Sequence, residues 1–199
     1  MNSILEYIEL NEAGIEDEVL QEFDCGNQDM TDYLHFYAKE DCITGKGVTY
    51  VLVREDKKCI YAYVTIHAHS LYYYDYAEKY HTFSDNKDGK ILLSVPAVEI
   101  KMFAISRRLK RQVAYLLDPI QKQHYASIFF KLFLEKLYFM SMSIIGFQLV
   151  FLRANDEGER LYRKNGFIEC DKYLNTYDVL AEGCTPLTIS MTEIEKVVF

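Results

Sequence analysis

Nothing in this chain of 199 residues suggests a covalent framework. Its five cysteines, Cys25, Cys42, Cys59, Cys170 and Cys184, are odd in number, widely spaced and without a C-x-x-C pair. They read as reduced, small apolar side chains rather than as disulfides or a zinc site, and a cytoplasmic setting is the expectation. A long apolar run is also missing. The most apolar stretch, Phe139 to Leu152, is interrupted by Ser141, Ser143, Gly146 and Gln148 and falls short of the ~20 residues that cross a bilayer. Met1 to Leu10 carries Glu6 and Glu9 and has no basic start, so it is not patterned as a signal peptide. Positive charge is the minority sign: 22 Lys and Arg against 30 Asp and Glu leave a net charge of −8. That balance repels a phosphate backbone unless the cations gather on one face. Metal spacing is absent as well. His67 and His69 share a strand face, but neither they nor His81 have an evident third ligand in the sequence, so no metal is expected.

What is present reads as one domain, 1–199, of alternating helices and strands. Met30, Leu34, Tyr37, Ala38 and Cys42 recur at three- and four-residue intervals, which predicts a helix from Asn27 to Cys42. Val48 to Arg54 and Cys59 to Ala68 are rich in Val, Ile, Thr and Tyr and flank Glu55-Asp-Lys-Lys58, the pattern of a hairpin. Ser70 to Lys90 holds five tyrosines and a turn-prone Ser84 to Gly89 without a clean period, and is expected to be an inserted connection with some helix. Leu92 to Ser106 is a strand in which Pro96 marks an edge or a bend. A helix follows from Asp118, capped by Asp118-Pro-Ile-Gln121, to Met142, with a start nearer Ser127 left open. Phe147 to Arg153 is a strand, Asp156 to Lys164 a helix stopped by Asn165-Gly166, and Tyr173 to Leu180 a last strand. The fold class is α/β, or α+β: a mixed, mostly antiparallel sheet flanked by helices.

Three segments carry chemistry. Glu99-Ile-Lys-Met-Phe-Ala-Ile-Ser106 ends a strand, Phe147 to Asn155 forms the next, and Leu161-Tyr-Arg-Lys-Asn-Gly-Phe167 follows. In this order they resemble the acyl-CoA half of the GNAT-superfamily N-acetyltransferases. The resemblance implies acetyl-CoA as cofactor and an amine as acceptor, and it assigns roles by position. Tyr162, in Leu-Tyr-x-x-x-Gly-Phe, matches the family's general acid at the thioester sulfur, and its other reading is a ring packed under the sheet. Glu99, in Glu-Ile-x-x-x-Ala-Ile-Ser, matches a general base, and its other reading is a solvent-facing carboxylate. The backbone of Phe103, Ala104 and Ile105 corresponds to the rail for the pantetheine arm. Asn155 matches a contact to that arm, or is the cap of the helix that follows. The family's pyrophosphate loop is glycine-rich, and here it is not: Arg111-Gln-Val-Ala114 and Gln121-Lys-Gln-His-Tyr-Ala126 are the two candidates. Gln121, His124 and Ala126 are preferred, with the cations Arg107, Arg108, Lys110 and Arg111 contributing from an enlarged loop.

Phe23-Asp-Cys-Gly-Asn27 ahead of Tyr33-Leu34 resembles, more narrowly, the toxin-like GNAT branch of toxin–antitoxin pairs, which acetylates aminoacyl-tRNA. Three functions are therefore open. The first is acetyl transfer from acetyl-CoA to a primary amine, on a small molecule or on a protein or peptide. The second is toxin-like transfer to aminoacyl-tRNA, which the net negative charge disfavours. The third is a GNAT-fold binding module without catalysis. No membrane partner is expected, and a homodimer is left open.

Overall fold

The computed structural model describes residues 5–54, 56–115, 117, 120–171, 173 and 183–199. In chain order the elements begin with β1 (Tyr7–Glu9), α1 (Asp17–Gln21), α2 (Gln28–Asp32), a π turn (Tyr33–Tyr37) and α3 (Ala38–Thr44). The long hairpin of β2 (Val48–Val53), β3 (Ile60–Tyr76) and β4 (Lys90–Ile105) comes next. Then follow α4 (Tyr125–Ser143), β5 (Leu149–Ala154), α5 (Asp156–Lys164), β6 (Ile168–Glu169), β7 (Thr185–Ser190) and α6 (Met191–Val198).

The strands form one seven-stranded sheet in the order β1-β2-β3-β4-β5-β7-β6. Every pairing is antiparallel except β4 with β5. One face packs on α4 and α6 through Phe129, Phe130, Phe133, Leu134, Leu137 and Ile194, all essentially inaccessible to solvent. A fully buried ring of this size contributes roughly 1.5–3 kcal/mol, so this layer is the main store of stability. The opposite face is covered at its N-terminal end by Leu20, Phe23, Leu34 and Ala38, which pack on Val51, Tyr63 and Ala104.

The helix expected over Asn27 to Cys42 is there, with Asn27 accepting from the Met30 N–H at 3.1 Å, but a π turn divides it. The stretch from Ser70 to Lys90 differs from expectation. Ser70 to Tyr76 is the outer part of β3, paired residue by residue with Lys90 to Pro96 of β4, and only Ala77–Tyr80 is helical, as a 3-10 turn. Single-strand periodicity missed this because the outer pairing is a two-stranded ribbon whose two faces are both partly wet. Tyrosines stand on both faces, so apolarity does not alternate along the sequence although burial does: Tyr72, Tyr74 and Tyr76 are exposed while Leu71 is buried and Tyr73 partly so. Beyond Ile66, β3 has no β2 partner, and before Ala97, β4 has no β5 partner, among the described residues. Pro96 stands at that boundary, where a missing N–H faces an open edge and its carbonyl accepts from Gln148 at 2.9 Å.

The long apolar helix begins at Tyr125 rather than at Asp118, which lies, with Pro119, outside the described residues. Of the expected strand from Tyr173 to Leu180, only Tyr173 is described. Among the described residues the sheet is completed by β6 and β7, with β7 between β5 and β6. No described helix is long and apolar enough to cross a membrane.

Candidate active site

The site is built where the parallel pair β4 and β5 comes apart. Their register runs from Ala97↔Leu149 to Ile100↔Leu152 and stops, while β4 continues to Ile105 and β5 to Ala154. From Met102 to Ile105 the β4 backbone pairs with β3 on one side and has no strand on the other among the described residues. Unpaired strand N–H and C=O groups need partners, so this edge is a slot for an extended polar chain. Phe103, Ala104 and Ile105 all lie on it.

A β-bulge sets which side chains reach each face. Thr65 pairs with Met102 and Ile66 with Ile100, so Lys101 is the extra residue. The bulge lets Ile100 and Phe103, an odd number of residues apart, both face α4. It leaves His67 and Glu99, directly paired across β3 and β4, on the opposite face.

On the α4 face stands Tyr162. Helix α5 starts directly after β5, with the Asn155 side chain accepting from the Gly158 N–H at 2.9 Å, so Asn155 serves as a helix cap. The Tyr162 ring packs 5.2 Å from Phe130 and 6.1 Å from Phe167, and Phe130 lies 5.1 Å from Phe103. One phenylalanine thus separates the tyrosine from the open β4 edge. Burial pushes the Tyr162 hydroxyl up to about 12, so it is protonated at neutral pH. Gly158 lets the ring lie down: a Cβ there would stand 2.8 Å from Tyr162 Cε2 and 3.1 Å from Asn155 Oδ1. Gly166 takes φ +88, which ends α5 and brings its backbone against Ile189.

On the other face Glu99 is neither the free base nor the solvent-facing carboxylate that the sequence offered. It is 6% exposed. Arg153 holds Oε1, His67 Nε2 lies 2.8 Å from Oε2, and His69 Nδ1 stands 3.6 Å from the same oxygen. Burial opposes its ionisation, but the His67 hydrogen bond and the Arg153 charge outweigh that, and the carboxyl is held below its ordinary value. His69 is pushed below the usual histidine range, first by burial, and its ring stacks on Phe151 at 5.1 Å. Glu99 also supplies the third donor that the sequence did not reveal: the donor atoms of His67, His69 and Glu99 lie within 4.8 Å of one another. Cross-strand pairing created this cluster from residues 30 positions apart, so no spacing rule could find it.

The two loop candidates for phosphate binding turn out to be partners. Val113 bridges His124, the Ala114 N–H donates to Gln123 at 2.8 Å, and the Tyr125 N–H donates to Gln112 at 3.2 Å. The α4 N-terminus is therefore partly capped by the chain's own carbonyl. Gln121 and His124 are exposed and Ala126 half-buried in its first turn. Arg111 and Lys122 sit at φ 63 and φ 54, left-handed conformations that cost a side chain roughly 1–2 kcal/mol and that glycine adopts freely.

The loop cations do not form one patch with α5. Lys110 pairs with Glu157 at 2.9 Å, while Arg107 turns to Asp24 at 3.4 Å. Arg107 and Arg108 instead join Arg54 and Lys58 around a cavity of about 480 Å³ that Glu22 and Asp24 also line. Among the described residues, no ion pair engages Lys58 or Arg108.

No family model and no curated protein matches the chain. Solved structures do. A tyrosine-to-phenylalanine mutant of the toxin AtaT superposes with TM-score 0.68 at 18% identity, covering 98% of this chain and 93% of that one. The AtaTR structure bound with AcCoA gives 0.68 at 20% identity, with 98% of both chains covered. AtaT complexed with acetyl-methionyl-tRNAfMet gives 0.66 at 17%, covering 98% of this chain and all of that one, 100%. This chain shares the fold of these structures. The agreement covers 98% of the chain, so the likeness includes the N-terminal helices and the C-terminal β7 and α6.

Proposed function

We propose that the protein is an acyl-CoA-dependent N-acetyltransferase that moves acetyl from acetyl-CoA to a primary amine. The observation that carries this reading is the juxtaposition across Phe130: the open β4 edge at Phe103 on one side and the partly buried Tyr162 ring on the other. An open strand edge suits the amide-bearing arm of CoA, and a hydroxyl in an apolar setting suits the sulfur at its end. The pantetheine arm of acetyl-CoA would pair with the β4 backbone at Phe103, Ala104 and Ile105. The cofactor's phosphates would meet Gln121, His124 and the α4 first turn around Ala126, where Arg111 and Lys122 stand in place of flexible glycines.

At a pKa of about 12, Tyr162 donates a hydrogen bond to the departing sulfur at any physiological pH. Full transfer to a thiol-like group near ~8.5 is uphill, so the hydroxyl acts most strongly as a donor to charge developing on sulfur.

A phosphate-bearing acceptor is the second reading, and the cationic cavity favours it. Arg54, Lys58, Arg107 and Arg108 gather positive charge on one face of an acidic protein, the condition under which net charge ceases to exclude a polyanion. AtaT, with the same fold, is known in complex with acetyl-methionyl-tRNAfMet. Aminoacyl-tRNA is accordingly the acceptor to test first.

The test is acetyl transfer from labelled acetyl-CoA to aminoacylated bulk tRNA and to small primary amines, by wild type and Tyr162→Phe. Transfer that falls 10²–10⁴-fold in the variant is expected for a group assisting the leaving sulfur. Equal rates would remove Tyr162 from the mechanism, and a wild type without transfer and without a thermal shift from acetyl-CoA would leave a binding module.

A further inference from the structure

We infer that His67 is the general base for the acceptor amine and that Glu99, held by Arg153, is the positioning residue that makes it one. The inference rests on the acetyltransferase reading and deepens it.

The argument begins with hydrogen-bond chemistry. An ionised carboxylate only accepts, so the 2.8 Å contact between Glu99 Oε2 and His67 Nε2 requires the hydrogen on Nε2. In the neutral ring the lone pair is then on Nδ1. His67 is the more exposed imidazole of the pair, its side chain 33% accessible against 20% for His69. The charged and titratable groups set against it are Glu99 on β4, Arg153 on β5 and His69 two residues along β3. Arg153 keeps Glu99 ionised, and Glu99 fixes the tautomer, the arrangement by which a carboxylate turns an imidazole into an oriented base.

Position supports the role. Glu99 lies one residue before the β4–β5 pairing ends, and Arg153 one residue after it. Glu99 and Arg153 therefore flank the root of the opening, on the face opposite the α4 layer where Tyr162 packs, and His67 reaches Glu99 from β3, one strand further from the opening. A divalent metal suits the cluster less well. It would face the Arg153 guanidinium across a single carboxylate, whereas a proton on His67 adds one charge shared with Glu99.

The base also bears on the substrate. An α-amine near ~7.7–8.0 gives up its proton more readily than a lysine amine near ~10.4. An imidazole can deprotonate the first at useful rates, so the cluster suits an α-amine such as that of an aminoacyl ester. In the step, His67 Nδ1 takes one proton from the ammonium and passes it to water. The nitrogen pair forms the C–N bond, the C–S bond breaks with its electrons on sulfur, and His67 takes the second proton from nitrogen. Sulfur gains one proton, delivered through the Tyr162 hydroxyl and replaced there from water, so one proton is released per turnover.

Two measurements test this. In ¹⁵N–¹H spectra of the ring nitrogens at pH 7.5, His67 is expected as the Nε2–H tautomer, with that preference lost in Glu99→Gln. An Nδ1–H tautomer overturns the proposal. In transfer to aminoacylated bulk tRNA, His67→Gln is expected to lower kcat/KM 10²–10⁴-fold and to abolish the acidic limb of its pH profile, with partial rescue by free imidazole. Glu99→Gln is expected to move that limb to lower pH with a smaller loss. A His67→Gln enzyme with an unchanged rate and limb overturns the base while Tyr162→Phe still reports the transfer. A wild type inactive on every acceptor overturns both.

Discussion

The two faces of the sheet at the β4–β5 opening use the same strands to opposite ends. On the α4 face the partly buried Tyr162 packs its ring against Phe130 and Phe167. On the other face a carboxylate, a guanidinium and two imidazoles meet within a few ångströms. Burial acts on both, but only Tyr162 is left without a charge partner. Its hydroxyl therefore moves towards the neutral form, whereas the ion-paired Glu99 stays ionised. Desolvation alone tunes a group one way, and a partner of opposite charge reverses the sign.

The comparison breaks most severely at Phe130, which touches Phe103, Tyr162 and Phe167 and is fully buried. Phe130→Ala should cost about 3–5 kcal/mol by cavity formation, read as a lower urea midpoint at unchanged slope. On the charged face Arg153→Leu leaves Glu99 buried beside uncharged groups, and a loss of about 3 kcal/mol is expected. The pH course gives the sign. In wild type the lowered Glu99 pKa contributes stability that is complete above its ordinary value of 4.5 and is lost as pH falls through the folded value. In Arg153→Leu the His67 hydrogen bond remains but the Arg153 charge is gone, so the stability lost on acidification over that range should be smaller than in wild type. Thermal midpoints from pH 7 to 4 distinguish the two.

The mildest perturbation is Gly158→Ala. The added methyl, 2.8 Å from Tyr162 Cε2, must move the ring, yet alanine is the better helix former by roughly 1 kcal/mol. Stability should change by less than about 1 kcal/mol while acetyl transfer falls at least tenfold. Equal activity would mean that the hydroxyl position is not set by this contact.

The legible parts of the chain were those with local physics. Helix α5 matched its expected bounds because Asn155 and Gly166 act within one turn of it. Tyr162 could be singled out because its neighbours in sequence are its structural context. Glu99 was found as a residue and misread as an environment, since Arg153 and His67 reach it only through strand pairing. The Ser70 to Lys90 segment failed for the same reason: a ribbon's order comes from its partner strand, not from its own period. The C-terminal β7 and α6 left no reading at all, although Ser190, accepting from the Glu193 N–H at 3.3 Å, is a recognisable cap.

The sequence by itself determined the elements with strong local signals, the acidic balance and the place of Tyr162 on the helix after β5. Those depend on neighbours within a few residues and on composition. Only the tertiary structure decided that the Lys101 bulge sends Phe103 and Glu99 to opposite faces, that His67 is Glu99's partner, and that Arg107 and Arg108 join Arg54 and Lys58. Register and loop closure bring those groups together, and both are properties of the whole sheet.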